Sequence, residues 1–299
     1  MKIELGFDER ELIKDLYLSG ESASNISKKI GFSTTVIYRV LREDGVKIRS
    51  RSENSRKYSL NENYFSRVDS GNKAYFLGFL FADGYNNEKR NCVELSCCEK
   101  DFEILDKLNK EIESNKPIRK VINKGIISYK SHRIDWCSSK LSKDLAKLGC
   151  IKKKTFLVTF PEIDKELVSH FLRGYFDGDG CISYSFPLKN NFFGNSFQSV
   201  ITFVGTEEFL LYLKNLLFEE LRVNSIILNR HPENGNNIRT LQISGNKQVC
   251  KLSEYLYKDC DIFLERKFEK YLEIKNILEE RKFYYKNNKK NKSNIILTQ

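Results

Sequence analysis

Two short segments of this 299-residue chain repeat one arrangement of glycine, small residue and aspartate. The first is FLGFLFADG (76–84) and the second is LRGYFDGDG (172–180). Both segments are apolar enough to form buried helices, although a glycine inside a helix is about 1 kcal/mol less favourable than alanine. Because Gly78 and Gly174 occupy matching positions, the repeat predicts that two helix backbones pack closely together through these glycines.

The spacing within the segments predicts a pair of acids. Ala82 and Gly178 each follow the glycine by four positions, and residues four apart share one helix face. Packing these faces brings Asp83 and Asp179 together at helix C-termini, where the helix dipole and the second carboxylate are repulsive. Mg²⁺ binds one or two carboxylates together with phosphate oxygens and would relieve this repulsion. The pair predicts metal-dependent phosphodiester hydrolysis; the alternative is two acids that merely end helices before glycine turns.

These segments resemble the two motifs of a LAGLIDADG homing endonuclease, and the resemblance covers about residues 58–265. The resemblance implies an α+β fold in which two pseudo-symmetric αββαββα repeats form a DNA-binding saddle. It implies Mg²⁺, with Mn²⁺ as a substitute, held by Asp83 and Asp179 and by the backbone carbonyls of Ala82 and Gly178.

The two segments depart from the family pattern at three positions. Leu77 and Arg173 replace its small second residue, and Phe81 replaces its sixth-position acid, which Asp177 keeps in the second copy. We expect these departures to affect helix packing rather than chemistry.

The resemblance also implies a basic residue near each scissile phosphate. RIDWCSSKL parallels TLQISGNKQ near the ends of the two copies, which aligns Lys140 with Lys247. An ammonium there could stabilise charge on the phosphate or polarise the attacking water. The alternative is an ordinary surface lysine at each helix start.

The N-terminal region predicts a helix-turn-helix domain. Three helical patterns follow one another before residue 48, Ser22 and Ser33 can cap the second and third, and Leu12 is among the expected core residues. Residues 1–25 carry three basic and six acidic residues, whereas residues 26–60 carry nine basic and three acidic ones. The predicted DNA contacts are Ser33, Thr34, Thr35, Tyr38, Arg39, Arg49 and Arg51. The alternative is a small helical adaptor with a solvated basic face.

The strands of both copies are expected to form the DNA-facing surface, where Arg and Lys read guanine and Asn and Gln read adenine. The candidate readers in the first copy are Asn86, Lys89, Arg90, Lys120, Lys130 and Arg133. The candidate readers in the second copy are Tyr184, Lys189, Asn190, Gln198, Arg230, Arg239 and Gln242. The interpretation rests on the set, since any one member could be a solvated strand residue.

The predicted order along the chain has six parts. They are a helix-turn-helix domain (1–50), a basic linker (51–69), repeat 1 (70–150), an inter-repeat linker (151–163), repeat 2 (164–265), and a charged C-terminal helix with a basic tail (266–299). The end of the tail is expected to be disordered. A fused repeat predicts a monomer that can read an asymmetric target.

Composition sets the wider context. The net charge of +11 favours a polyanionic partner. No apolar run is long enough to span a membrane, and no signal peptide is evident, so we expect a protein that is not secreted and works in the cytoplasm or wherever the host DNA lies. The eight cysteines form no CxxC pair, which favours reduced thiols over a zinc site.

The sequence therefore predicts a monomeric endonuclease that cuts both strands of a long double-stranded DNA site. Two alternatives remain: a maturase that binds intron RNA, and a transcription regulator that keeps the fold without cleavage. Both acids are intact, which argues against the regulator more than against the maturase.

Overall fold

The computed structural model describes residues 5–49, 56–123, 129–151, 160–186, 197–230 and 237–296, with side chains up to residue 282. The chain divides into two compact units, Met1–Ser59 and Leu60–Gln299. Each unit has its own cluster of buried apolar side chains.

Three helices make up the N-terminal unit: α1 (Phe7–Leu18), α2 (Ala23–Ile30) and α3 (Thr34–Glu43). The hydroxyls of Ser22 and Ser33 accept hydrogen bonds from the first turns of α2 and α3, as the sequence predicts. Between these helices Gly31 has a φ of 78°, a left-handed conformation that glycine adopts without strain.

The N-terminal core differs from the prediction on α1. Leu12 is exposed, and Ile13 and Tyr17 are buried in its place, against Ile26 and Ile37. The prediction was therefore wrong for Leu12, whereas Leu16 packs against this core and the apolar residues of α2 and α3 contribute to it as expected.

The C-terminal unit contains the αββαββα pattern twice, which confirms the predicted fold class. The first copy comprises α4 (Gly71–Asp83), β1 (Gly84–Asn87), β2 (Cys92–Cys98), α5 (Phe102–Glu111), β3 (Arg119–Asn123), β4 (Tyr129–Cys137) and α6 (Ser139–Lys147). The second comprises α7 (Val168–Asp179), β5 (Gly180–Ser185), β6 (Gln198–Thr206), α8 (Glu207–Leu221), β7 (Ile226–Leu228), β8 (Ile238–Ser244) and α9 (Asn246–Tyr257).

Each copy builds a four-stranded antiparallel sheet with the same topology, β1-β2-β4-β3 in the first and β5-β6-β8-β7 in the second. Residues on one face of each sheet, such as Leu95 with Ile134 and Phe203 with Leu241, lie opposite each other and are buried in the core with the helices. Because side chains alternate along a strand, the residues between them point away from the helices. We call that side the outward face.

The helices α4 and α7 pack backbone against backbone. A Cβ atom added at Gly78 would lie 2.0 Å from the carbonyl oxygen of Phe171, and one added at Gly174 would lie 1.9 Å from the carbonyl oxygen of Tyr75. Each distance is far below van der Waals contact, so only glycine fits at either position. The close approach predicted from the sequence is confirmed.

A long helix, α10 (Glu265–Ile296), follows the second copy. Its first turns pack into the core through Tyr271 and Ile274. The backbone remains helical through the segment that the sequence predicted to be a disordered tail, as far as Ile296.

The prediction of reduced thiols is wrong for one pair. Cys92 and Cys137 are direct partners in the register of β2 and β4, and their sulfurs form a disulfide. The other six cysteines are thiols, and Cys97 and Cys150 among them are buried. A cross-strand pairing of this kind cannot be inferred from spacing, because it depends on the register of strands that lie far apart in sequence.

The glycine contact predicts the effect of a single methyl group. Gly78→Ala or Gly174→Ala should lower the free energy of unfolding by about 2 kcal/mol, because so close an overlap should reach the upper end of the ~1–3 kcal/mol that overpacking costs, and improved helix propensity returns at most ~1 kcal/mol. The measurement is denaturant unfolding followed by the fluorescence of Trp136, which is buried in the same unit and is the single tryptophan of the chain.

The matched control is Asn215→Ala, at an exposed position of α8, which gains helix propensity without a new contact. If the two glycine variants are stabilised as much as this control, the helices do not pack through Gly78 and Gly174.

Candidate nucleic-acid cleavage and binding sites

The two motif aspartates lie at the last positions of α4 and α7. A Cβ atom added at Gly178 would lie 2.2 Å from the Cβ of Ala82 and 3.2 Å from Oδ2 of Asp83. The carboxylate of one motif therefore reaches the backbone of the other motif at Gly178, the next-to-last residue of α7. Asp83 is exposed and Asp179 is half-buried, so solvent reaches both.

This geometry concentrates negative charge at one point. The last turns of two helices lie side by side, each helix C-terminus carries about half a negative charge, and each helix ends in an aspartate. Within the described parts of the chain, no three His, Cys, Asp or Glu side chains are arranged to hold a metal ion. A hard cation that takes one or two carboxylates and completes its shell with water and phosphate oxygens fits this donor set better than zinc does.

Lys267 is a residue of this region that the sequence interpretation missed. Its ammonium is buried and donates hydrogen bonds to the carbonyl oxygens of Phe176 (2.5 Å), Asp177 (2.8 Å) and Gly180 (2.6 Å), at the end of α7. Burial lowers the pKa of Lys267 to about 8, whereas the charges of Asp177 and Asp83 act in the opposite direction. The lysine therefore places a positive charge close to the C-terminal end of α7 and is a hydrogen-bond donor to carbonyl oxygens that lack partners within the helix.

A sequence signal for Lys267 does exist. Leu264, Lys267, Tyr271 and Ile274 are spaced as one stripe of α10, and the other three members are buried apolar residues. A lysine within such a stripe must find partners in the core, because a buried ammonium is strongly unfavourable without them.

The sixth motif position differs between the two copies, since Asp177 keeps the acid that Phe81 replaces. Asp177 is buried, and its Oδ2 accepts hydrogen bonds from the Tyr75 hydroxyl and the Leu264 amide, both at 2.8 Å. Burial raises the pKa of Asp177 to about 6. In the first copy Phe81 instead packs edge-on against Phe171.

Arg173, which replaces the small second residue of the motif in the second copy, also forms hydrogen bonds with the surrounding structure. Arg173 is buried, and its guanidinium donates to the carbonyl oxygens of Leu256 and Ile262, at 2.9 and 2.8 Å. This arginine thereby ties α7 to the end of α9 and to the segment that leads into α10.

The two predicted catalytic lysines occupy equivalent places, each as the second residue of the last helix of its repeat. Lys247 is exposed. The ammonium of Lys140 contacts Asp144 and donates to Ser66 Oγ at 2.7 Å. Burial would raise the pKa of Asp144, but the hydrogen bonds from Lys140 and Ser66 hold it below its usual value. Lys140 is thus bound to groups other than the acid pair, which does not support its predicted role.

The predicted readers divide between the two faces of the sheets. The outward face carries Arg133, Gln198, Gln242 and Arg230, the last through its 2.9 Å hydrogen bond to Gln242. Lys89 and Arg90 are exposed in the turn between β1 and β2. Arg51, Lys189 and Asn190 lie outside the described residues.

Three predicted readers lie on the helix side of the first sheet. Asn86 is fully buried, and its amide donates to the carbonyl oxygens of Ser142 and Cys150, each at 2.9 Å. Lys120 pairs with His132, whose side of the sheet faces the helices. Lys130 lies on this same side, since it is two residues from His132 along β4. The prediction is therefore wrong for the buried Asn86, whereas Lys120 and Lys130 are exposed but lie on the side of the sheet opposite the outward face.

Two further predictions are wrong in the second copy. The Tyr184 hydroxyl donates to Glu273 of α10 at 3.1 Å, on the helix side of the sheet. Arg239 forms an ion pair with Glu207 at the start of α8, at 3.1 Å. In all five cases the strand register decided the face, and periodicity alone did not reveal that register.

The basic side chains on the outward face of the first sheet are balanced by acids. Arg133 lies 3.5 Å from Glu94, and Arg119 lies 2.6 Å from Asp135. Lys116 adds a second contact to Asp135, at 2.7 Å. On the described part of this face, three basic groups thus share two acids, which leaves it close to neutral.

The N-terminal unit presents a different surface. Thr34 and Thr35 are exposed in the first turn of α3, and Tyr38 and Arg39 are half-buried one turn later, while Ser33 caps the helix. These positions fit the predicted contact surface.

Arg49 does not fit this surface, because its guanidinium donates to the carbonyl oxygens of Tyr17, Gly20 and Glu21 and stacks on the Tyr17 ring. It closes the end of α1, where helix carbonyls lack partners.

In the part of the chain that the structure describes, no helix combines the length and apolar character of a membrane span.

Comparison with known proteins assigns two regions. The model of a helix-turn-helix domain matches residues 4–44, and that of a LAGLIDADG-like domain matches residues 166–257. No curated protein matches the chain at a significant level.

Similar solved structures share low sequence identity with this chain. The I-LtrWI LAGLIDADG homing endonuclease bound to target DNA has a TM-score of 0.49 at 14% identity, covering 75% of this chain and 92% of that one. The I-SmaMI enzyme bound to cleaved DNA has a TM-score of 0.48 at 14% identity, with coverages of 73% and 92%.

Full-length DUF199/WhiA from Thermatoga maritima has a TM-score of 0.44 at 21% identity, covering 74% of this chain and 65% of that one. By the two family-model matches, this chain carries a helix-turn-helix domain at residues 4–44 and a LAGLIDADG-like domain at residues 166–257, the latter within an α+β unit of two four-stranded antiparallel sheets.

Proposed function

We propose that this protein is a site-specific DNA endonuclease that hydrolyses both strands of a long target. The observation that carries the proposal is the acid pair: Asp83 of one motif lies against Gly178 of the other, at the joined ends of two helices. A protein that only binds DNA gains nothing from this concentration of negative charge near a phosphate backbone.

Asp83 and Asp179 would hold a divalent cation, Mg²⁺ or Mn²⁺, with the carbonyl oxygens of Ala82 and Gly178 as further ligands. Such a cation neutralises charge on a phosphate and lowers the pKa of bound water. The two aspartates approach from different repeats, so one carboxylate can serve each strand of the duplex. Lys267 holds the last turn of α7 in place through its carbonyl contacts.

DNA recognition would be shared between the two units. The outward face offers Arg133, Arg230, Gln198 and Gln242 for base contacts, and the two sheets differ in sequence, which suits an asymmetric target. The recognition helix α3 would bind a separate part of the site through Thr34 and its neighbours. A single chain with both repeats is expected to act as a monomer.

One observation favours a second candidate, a DNA-binding regulator that does not cleave. The ion pairs Arg133–Glu94 and Arg119–Asp135 leave the described outward face of the first sheet close to neutral. Salt-dependent affinity comes from contacts between basic side chains and phosphates. Such contacts could then come mainly from the helix-turn-helix unit, as a regulator requires.

Cleavage and binding can be separated by removing one charge. Asp83→Asn or Asp179→Asn should abolish double-strand cleavage in Mg²⁺, because each removes a hard ligand from the acid pair. DNA affinity should stay within about tenfold, or ~1.4 kcal/mol. The measurements are plasmid cleavage on a target-site library and gel-shift titration in Ca²⁺.

The matched control is Asp259→Asn, an exposed aspartate with a φ of 48° that asparagine also tolerates. Full cleavage by either active-site variant would remove these residues from the metal site. Absence of cleavage by the wild-type protein on every target, with intact DNA binding, would favour the regulator.

The division into two units predicts the effect of a deletion. Removing residues 1–59 should shorten the DNA footprint, weaken affinity at least tenfold and reduce its dependence on salt, because the basic recognition helix is lost. The cleavage rate at saturating protein should be retained, since both motif acids lie in the other unit.

The full-length Thr34→Ala/Tyr38→Ala variant tests the same contact without a deletion. Its DNA affinity should fall, but by less than in the protein that lacks residues 1–59. A footprint that is unchanged in the deleted protein would show that the N-terminal unit does not touch the target.

A further inference from the structure

The first turn of α10 and the residue before it form hydrogen bonds with both repeats, close to the end of α7 that carries Asp179. Its anchors in the second repeat are the Leu264 amide on Asp177 and the Lys267 ammonium on three carbonyls at the end of α7. Its anchor in the first repeat is Arg266, whose Nε and one terminal nitrogen donate to the two oxygens of Asp101, each at 2.9 Å. The adjacent residues Arg266 and Lys267 thus bind the first and the second repeat, respectively.

Asp101 is well placed to be a fixed anchor. It lies in the turn between β2 and α5, is 8% exposed, and also accepts a hydrogen bond from the Cys98 thiol. Burial would raise the pKa of Asp101, but the hydrogen bonds from Arg266 and Cys98 hold it below its usual value. The paired geometry is the strong form of an arginine–carboxylate contact, since two parallel bonds fix orientation as well as distance.

We propose that Asp101 and Arg266 are positioning residues of the acid-pair site: their paired hydrogen bonds hold the first turn of α10 so that Lys267 fixes the end of α7 beside Asp83. The proposal rests on the proposed function for its effect on cleavage, but not for its effect on structure. Neither Asp101 nor Arg266 is assigned a direct contact with the reacting atoms. Both act through the neighbouring Lys267.

Positioning matters here because the last turns of α4 and α7 are in close contact. Asp83 Oδ2 lies only 3.2 Å from the position of a Cβ on Gly178. A small movement of the last turn of α7 therefore changes the separation between Asp83 and Asp179. Lys267 is the described side chain that binds this turn on both sides of Gly178, through the carbonyls of Asp177 and Gly180.

The experiment uses the full chain with Asp101→Asn, Arg266→Gln and the double variant. Hydrogen exchange measured by mass spectrometry should accelerate at least tenfold in the amides of Gly178–Gly180, while those of Leu172–Tyr175 in the middle of α7 remain unchanged. Because the two residues act as one unit, the double variant should be no worse than either single variant. Arg266→Lys keeps the charge without the paired geometry and should fall between the wild type and Arg266→Gln.

Asp106→Asn is the matched control, since it removes a nearby exposed ion pair with Lys110 on the same helix, α5. The cleavage arm measures single-turnover rate against Mg²⁺ concentration. The variants should need severalfold more Mg²⁺ and cut at least tenfold more slowly, with DNA affinity in Ca²⁺ within about twofold.

The outcomes test the positioning role of Asp101 and Arg266 separately from the proposed endonuclease function. Unchanged exchange at the end of α7, or acceleration spread evenly over the whole unit, would overturn the positioning role. Local acceleration in a protein that never cuts DNA would support the positioning role and contradict the endonuclease.

Discussion

The contact between two helix backbones at Gly78 and Gly174 is the constraint on which the rest of the structure depends. Each glycine lies where even one methyl group would overlap a carbonyl of the opposite helix. The two sheets extend from the ends of these helices, because β1 follows α4 directly and β5 follows α7 directly. The same contact brings Asp83 to the backbone of Gly178 and so creates the acid pair. Fold and candidate site are therefore consequences of one packing interaction.

The two repeats share a topology, but the ends of α4 and α7 make different kinds of contact with their surroundings. In the second half, buried polar groups surround α7: Asp177 binds Tyr75, Arg173 binds the end of α9, and Lys267 binds three carbonyls. In the first half, Phe81 packs against Phe171 at the position that corresponds to Asp177. The second half thus depends on directional contacts, several of which come from α10.

Much of the fold could be predicted from the sequence, since repeated glycines and aspartates at fixed spacing leave few arrangements of two helices. The same pattern predicts that Asp83 and Asp179 lie at the ends of these two helices, where the structure has them. Individual strand residues could not be assigned, because a shift of one residue exchanges the two faces of a strand. Asn86 and Tyr184 illustrate this, as both point toward the helices. Lys267 was missed because its partners are carbonyls 87 to 91 residues earlier in the sequence, at the end of a helix. The Cys92–Cys137 disulfide was missed for a similar reason.

The central claim is that Asp83 and Asp179 form one divalent-cation site from two motifs. Titration of the full-length protein with Mn²⁺, followed by electron paramagnetic resonance in the presence of a DNA duplex, tests this claim without relying on cleavage. The account predicts saturable binding by the wild-type protein and a loss of affinity of at least tenfold in both Asp83→Asn and Asp179→Asn. Mn²⁺ binding that is undiminished in either variant would contradict it.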